Sequence, residues 1–73
     1  MELPPHTRAT VLRLLSAIEV AETPRAVNMA SQRAEGFVLG LETAGAYKTD
    51  VIEALYIGFE RSGAQQLVQL SMS

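Results

Sequence analysis

Apolar residues near the start of the chain recur with the spacing of a helix that buries one face. At about 100° per residue, four of them fall on one side: Val11, Leu14, Leu15 and Ile18. Pro4 and Pro5 stop a helix from extending through them, whereas the hydroxyl of Thr7 can accept a hydrogen bond from the first turn. We therefore predict a first helix at about residues 7–21, capped by Thr7, and expect residues 1–6 to be flexible.

The second segment has clearer boundaries than the first. Thr23 is a favourable N-cap, and Pro24 at the first helical position has no N–H group to leave unpaired. The apolar positions that follow are three or four residues apart: Val27, Ala30, Ala34, Phe37 and Leu41. Gly45 suits the left-handed position that commonly follows a helix. The pattern predicts a second helix over residues 24–43, joined to the first by a tight connection.

The third segment begins with two overlapping cap signals. Either Thr49 caps the helix, or Asp50 and Glu53 form a capping box. Five residues form the predicted buried face, with the tyrosine at its edge: Val51, Ile52, Leu55, Phe59 and Tyr56. We expect the helix to end near residue 62 and to break at Gly63. If it continued, Ser62 and Gln66 would fall on the core face, while Leu67, Val68 and Leu70 would point elsewhere.

Together these segments predict a compact all-α bundle of three helices, at about residues 7–21, 24–43 and 50–62. Residues 64–71 form a short fourth helix or a frayed tail, with one long third helix as the alternative. No segment alternates polar and apolar residues for long enough to predict a strand. The predicted core contains Val11, Leu14, Leu15, Ile18, Val27, Ala30, Ala34, Phe37, Leu41, Ile52, Leu55 and Phe59.

Two glycines inside the second helix need an explanation, because each costs about 1 kcal/mol relative to alanine in a helix interior. With Ala30 at 0°, Met29, Gly36 and Gly40 cluster at about 240° to 280°, beside the predicted core face. A strip without side chains lets another helix approach closely. We expect helix 1 or helix 3 to pack there; the alternatives are a second copy of the chain and a kink at Gly36.

Several aliphatic residues are predicted to face away from the core. Val20 and Leu39 do so on the first two helices, and Ile57, Ala64 and Val68 would form an outward row if the third helix continued past Gly63. Such rows suggest protein contacts, although a small protein also tolerates scattered surface apolar residues. The predicted partner-binding residues are Met29, Gly36, Leu39, Gly40, Ile57 and Val68.

The composition narrows the class of protein. The 73 residues are 48% apolar and 19% charged, which favours a folded chain, and cysteine is absent, so disulfides and thiolate metal sites are excluded. The net charge is −2, which argues against binding driven by bulk attraction to phosphates. The longest apolar stretches fall far short of the roughly 20 residues of a membrane-spanning helix. We expect a cytoplasmic protein with no membrane contact.

The sequence contains no constellation typical of catalysis. His6 is the only histidine and adjoins two prolines, a poor position for a general base. Glu19 and Glu22 are predicted to be solvent-exposed charges at the end of the first helix. The glycine-rich stretch at residues 36–45 lacks the lysine and the preceding strand of a phosphate loop. We predict no enzyme activity, cofactor or metal, and no small-molecule substrate is evident.

Two hypotheses for function remain. The first is a small protein-interaction module, an adaptor or regulator that forms a homodimer or binds a helical partner. The alternative is a small DNA-binding transcriptional regulator, although the balance of charge argues against contacts with nucleic acid. In that alternative the second helix reads DNA through its polar N-terminal half: Arg25, Asn28, Gln32 and Arg33.

Overall fold

The computed structural model describes residues 3–72 and shows three α-helices there, with no strand in that range. They are α1 (Pro5–Glu19), α2 (Pro24–Thr43) and α3 (Thr49–Met72). Every pair of helices is in contact, and α2 and α3 share the most extensive interface. The all-α, three-helix architecture predicted from the sequence is confirmed, in a body of 39 × 19 × 17 Å.

Helix α1 begins two residues earlier than predicted. Pro4 takes the N-cap position and Pro5 the first helical position, where a missing N–H group costs no hydrogen bond. The predicted cap at Thr7 is therefore wrong, because Thr7 is the third residue of the helix. The Thr7 hydroxyl instead accepts a hydrogen bond of 3.0 Å from the Tyr47 hydroxyl. In the segment predicted to be flexible, Leu3 packs against the core, while residues 1 and 2 lie outside the described residues.

Helix α2 has the predicted bounds. The Thr23 hydroxyl accepts a hydrogen bond of 3.0 Å from the Ala26 N–H group, which confirms the predicted cap. At the other end Gly45 has a φ of +66°, and its N–H group donates to the Glu42 carbonyl. The next N–H group, of Ala46, reaches back to the Leu41 carbonyl, so the end of α2 is a Schellman motif.

Helix α3 differs most from the prediction. It starts at Thr49, with Asp50 in its first turn accepting a hydrogen bond from the Val51 N–H group, and continues without a break to Met72. The predicted break at Gly63 is wrong, and within residues 3–72 there is no separate fourth helix over 64–71. One long helix, the alternative, is what the structure shows.

The second half of α3 remains helical because it packs against the other two helices. Leu67 and Leu70, predicted to point elsewhere, pack against the core, whereas Val68 is exposed as predicted. The Gln66 side-chain amide donates a hydrogen bond of 2.8 Å to the Ala21 carbonyl, which links α3 to the connection after α1. This packing outweighs the cost of about 1 kcal/mol that a glycine imposes within a helix.

The core lies where the sequence predicts it. All twelve predicted core residues are buried or pack against the buried cluster. Ala21 and Val38 are also buried but were missing from the prediction. Within residues 3–72, none of the three helices combines the length and the apolar character needed to cross a membrane.

Candidate functional site

The two glycines of α2 lie on its solvent-exposed side. Gly36 and Gly40 are exposed, and a Cβ atom built on either would meet nothing within 4 Å apart from α2 itself. The expectation that α1 or α3 packs against this strip is therefore wrong. The helix does not break at Gly36, because α2 is continuous from Pro24 to Thr43. The structure of the single chain leaves these glycines without a packing partner.

The other predicted partner-binding residues are also exposed, and they are divided between two helices. Met29 and Leu39 lie on α2, while Ile57 and Val68 lie on α3, with exposures between 48% and 56%. Among residues 3–72, three further large apolar side chains are exposed: Leu12, Val20 and Met72. The structure thus shows apolar surface at each predicted position, and a role in partner binding stays a prediction.

A groove that the sequence did not predict runs between α2 and α3. Its volume is about 420 Å³, and among residues 3–72 no α1 side chain lines it. Val27 and Phe59 form its buried floor together with the half-buried Leu67. Glu35 of α2 and Glu60 of α3 are exposed carboxylates on opposite walls. The groove therefore combines an apolar floor with a negative rim.

The groove owes its shape to a close approach of the two helices at Gly63. A Cβ atom there would lie 2.8 Å from Ser31 Oγ and 4.0 Å from Val27 Cγ1. Since Gly63 is buried and has no side chain, the α3 backbone itself lines the groove at this level. A side chain at residue 63 would therefore displace the Ser31 hydroxyl, whereas one at Gly36 or Gly40 would meet no neighbour.

Tyr56 stands at one end of the groove. Its hydroxyl donates a hydrogen bond of 3.2 Å to the Glu42 carboxylate. Partial burial raises the pKa of the Tyr56 hydroxyl above its usual value of 10.0, and the negative charges of Glu42 and Glu35 raise it further. The neutral phenol is therefore favoured, and the electrostatic environment at this end of the groove is negative.

The residues of the DNA-binding alternative are all exposed on α2: Arg25, Asn28, Gln32 and Arg33. Their arrangement is not uniformly suited to phosphate, because Asn28 lines the same groove as Glu35 and Glu60. His6 is exposed in the first turn of α1 and belongs to no cluster of potential metal ligands within the described residues.

Comparison with known proteins adds no functional assignment: no family model matches the chain, and neither a curated protein nor a solved structure is significantly similar to it.

One signal in the sequence points to the groove. Gly63 interrupts an otherwise apolar helical pattern, and a glycine within a helix indicates either a break or a close packing contact. The predicted break at Gly63 leaves Leu67 outside the predicted core, whereas in the structure Leu67 packs against the core and lines the groove. The glycines that we expected to pack closely, Gly36 and Gly40, are the ones that do not.

Proposed function

We propose that this chain is a non-enzymatic, cytoplasmic protein-interaction module that associates with a second copy of itself through the outer face of α2. The observation that carries the proposal is the exposed pair Gly36 and Gly40, one helical turn apart in an unbroken helix. Each glycine costs about 1 kcal/mol relative to alanine, and no contact within the chain requires either one.

A second copy is the occupant that suits this surface, because a two-fold interface places the same strip of both chains face to face. Two helices whose facing positions lack side chains can bring their backbones unusually close. Met29 and Leu39 are exposed on the same helix and would bury apolar area beside that contact. The outer face of α2 therefore supplies both close approach and apolar contact.

Ile57 and Val68 provide a second candidate surface for protein contact. Both lie on α3 and offer a separate apolar surface to a helical protein other than a second copy. A protein-interaction module could therefore also act by binding a different helical protein through α3.

Sedimentation equilibrium from micromolar to millimolar concentration tests self-association. We expect a dimer at the higher concentrations. Gly36→Leu should weaken the free energy of association by about 1 to 3 kcal/mol, because the larger side chain overpacks the interface. Gly58→Leu is the matched control, since Gly58 is an exposed helical glycine of α3 with nothing within 4 Å of its added Cβ. A monomer throughout the range, or equal effects of the two substitutions, would contradict the proposal.

The alternative function, a DNA-binding regulator, would use Arg25 and Arg33 on α2. A gel shift at low salt tests for DNA binding. If the chain is a protein-interaction module, we expect no retarded band. Duplex binding that weakens with salt and is lost in Arg25→Glu/Arg33→Glu would instead support the alternative.

A further inference from the structure

The groove between α2 and α3 has features that self-association does not use. Gly36 and Gly40 do not line it, so it remains available whether or not two chains associate through that strip. Its volume of about 420 Å³ lies in the range typical of small-molecule sites. A dominantly apolar site with a few convergent polar groups is the usual form of such a pocket.

The charges along the groove select the sign of a ligand. Glu35 and Glu60 contribute carboxylates, and no lysine, arginine or histidine is among the described residues that line it. A cation between the two walls would be attracted by both, whereas an anion would be repelled. The Ser31 hydroxyl and the Asn28 side-chain carbonyl add neutral acceptors for the N–H groups of an ammonium.

The floor and the length of the groove select the rest of the ligand. Above the buried Val27 and Phe59, the half-buried Leu67 and the exposed Ala64 offer accessible apolar surface to a ligand and no polar partner. At about 1.5 Å per residue, the lining of α2 from Val27 to Glu35 spans about 12 Å, or little more than two helical turns. That length is sufficient for a small molecule.

We infer that the groove binds a small organic cation in which an apolar body carries a protonated amine. The body lies on Leu67 and Ala64, above the buried floor, and the ammonium lies between Glu35 and Glu60. The inference does not depend on the proposed self-association, because each uses a different side of α2.

Three probes with the same indole body separate the contributions of charge and apolar contact: tryptamine, tryptophol and indoleacetate. In a titration of nitrogen-15-labelled protein, we expect tryptamine to shift the amide signals of Ser31, Glu35 and Gly63. Tryptophol should bind about tenfold more weakly, because it lacks the charge-assisted hydrogen bonds, and indoleacetate should not bind. Equal binding of all three probes would overturn the assignment of a cation site.

Two variants connect the binding to this groove. Glu35→Gln/Glu60→Gln should weaken tryptamine binding about tenfold or more while keeping the shape of both side chains. Glu19→Gln/Glu22→Gln makes the same change in net charge on exposed residues that do not line the groove and should leave the affinity unchanged. Equal losses in the two variants would show a general effect of net charge and overturn the inference.

A third variant blocks the groove without changing its charge. Ala64 is exposed and lines the groove, so Ala64→Phe should fill part of it and reduce binding while the thermal unfolding curve stays near that of the wild type. Undiminished tryptamine binding in Ala64→Phe would place the probe elsewhere. Binding of a lysine- and leucine-rich helical peptide with no binding of tryptamine would overturn the small-molecule assignment in favour of a peptide.

Discussion

Gly63 of α3 lies so close to Ser31 of α2 that a methyl group on Gly63 would come within 2.8 Å of Ser31 Oγ. Ordinary contacts between non-bonded carbon and oxygen atoms are longer, so a side chain at residue 63 forces the serine hydroxyl to move. The contact explains why a glycine is accommodated in the middle of a helix of 24 residues.

Gly63→Ala should therefore stabilise the protein less than an alanine at an unobstructed helical glycine. We expect a difference of about 1 kcal/mol in the free energy of unfolding between Gly63→Ala and Gly36→Ala, measured by urea denaturation. Adding Ser31→Ala to Gly63→Ala should recover most of the difference, since the nearest remaining side-chain atom, Ser31 Cβ, lies 3.9 Å away. Equal effects at the two glycines would refute the close contact.

Gly36→Ala and Gly40→Ala should each stabilise the monomer by up to about 1 kcal/mol, because nothing within the chain obstructs either methyl group. Gly45→Ala should have the opposite effect, because Gly45 has a φ of +66°. Urea denaturation of dilute protein measures all three. A loss of stability in Gly36→Ala would reveal a contact within the chain at that position.

Gln66→Ala should lower the free energy of unfolding by about 1 to 2 kcal/mol, because the half-buried Gln66 amide donates to the Ala21 carbonyl at 2.8 Å. Gln66→Glu should lower the free energy of unfolding more than Gln66→Ala does, since a carboxylate cannot donate to that carbonyl at neutral pH. Gln65→Ala on the exposed side of α3 is the control and should change stability little. The idea fails if Gln66→Ala and Gln65→Ala unfold at the same urea concentration.

Tyr56 should ionise above the usual tyrosine pKa of 10.0, since partial burial and the carboxylates of Glu42 and Glu35 favour its neutral form. Ultraviolet absorbance during an alkaline titration of the folded protein measures this, with Tyr56→Phe identifying the signal. Glu42→Gln should lower the pKa of Tyr56 towards 10.0. A pKa unchanged by Glu42→Gln would show that the carboxylate contributes nothing.

The raised pKa of Tyr56 also gives the sign of a dependence of stability on pH. Above pH 10.0 the unfolded chain loses this proton before the folded chain does, so the folded state binds more protons. The contribution of Tyr56 to stability should therefore decline as the pH rises above 10.0, and it should be constant below that value. Comparing the wild type with Tyr56→Phe isolates this contribution.

The sequence alone determined the three helices and most of the core. Thr23, Pro24 and Gly45 set the bounds of α2 through local chemistry, and the spacing of apolar residues identified one buried face on each helix. These features depend on neighbours a few residues away, so one chain segment contains all the information needed. Helical periodicity also showed that Gly36 and Gly40 lie on the same side of α2. It did not show that no other helix packs against that side.

Only the tertiary structure decided the course of α3 and the location of the groove. Local preference favours a break at Gly63, yet burial of Leu67 and Leu70 against the other helices and the hydrogen bond from Gln66 keep the helix continuous. The pairing of Ser31 with Gly63 depends on how α2 and α3 align against each other, which periodicity within one helix does not specify. Which glycine is packed and which is exposed is therefore a property of helix packing, because glycines that all lie inside helices meet different neighbours.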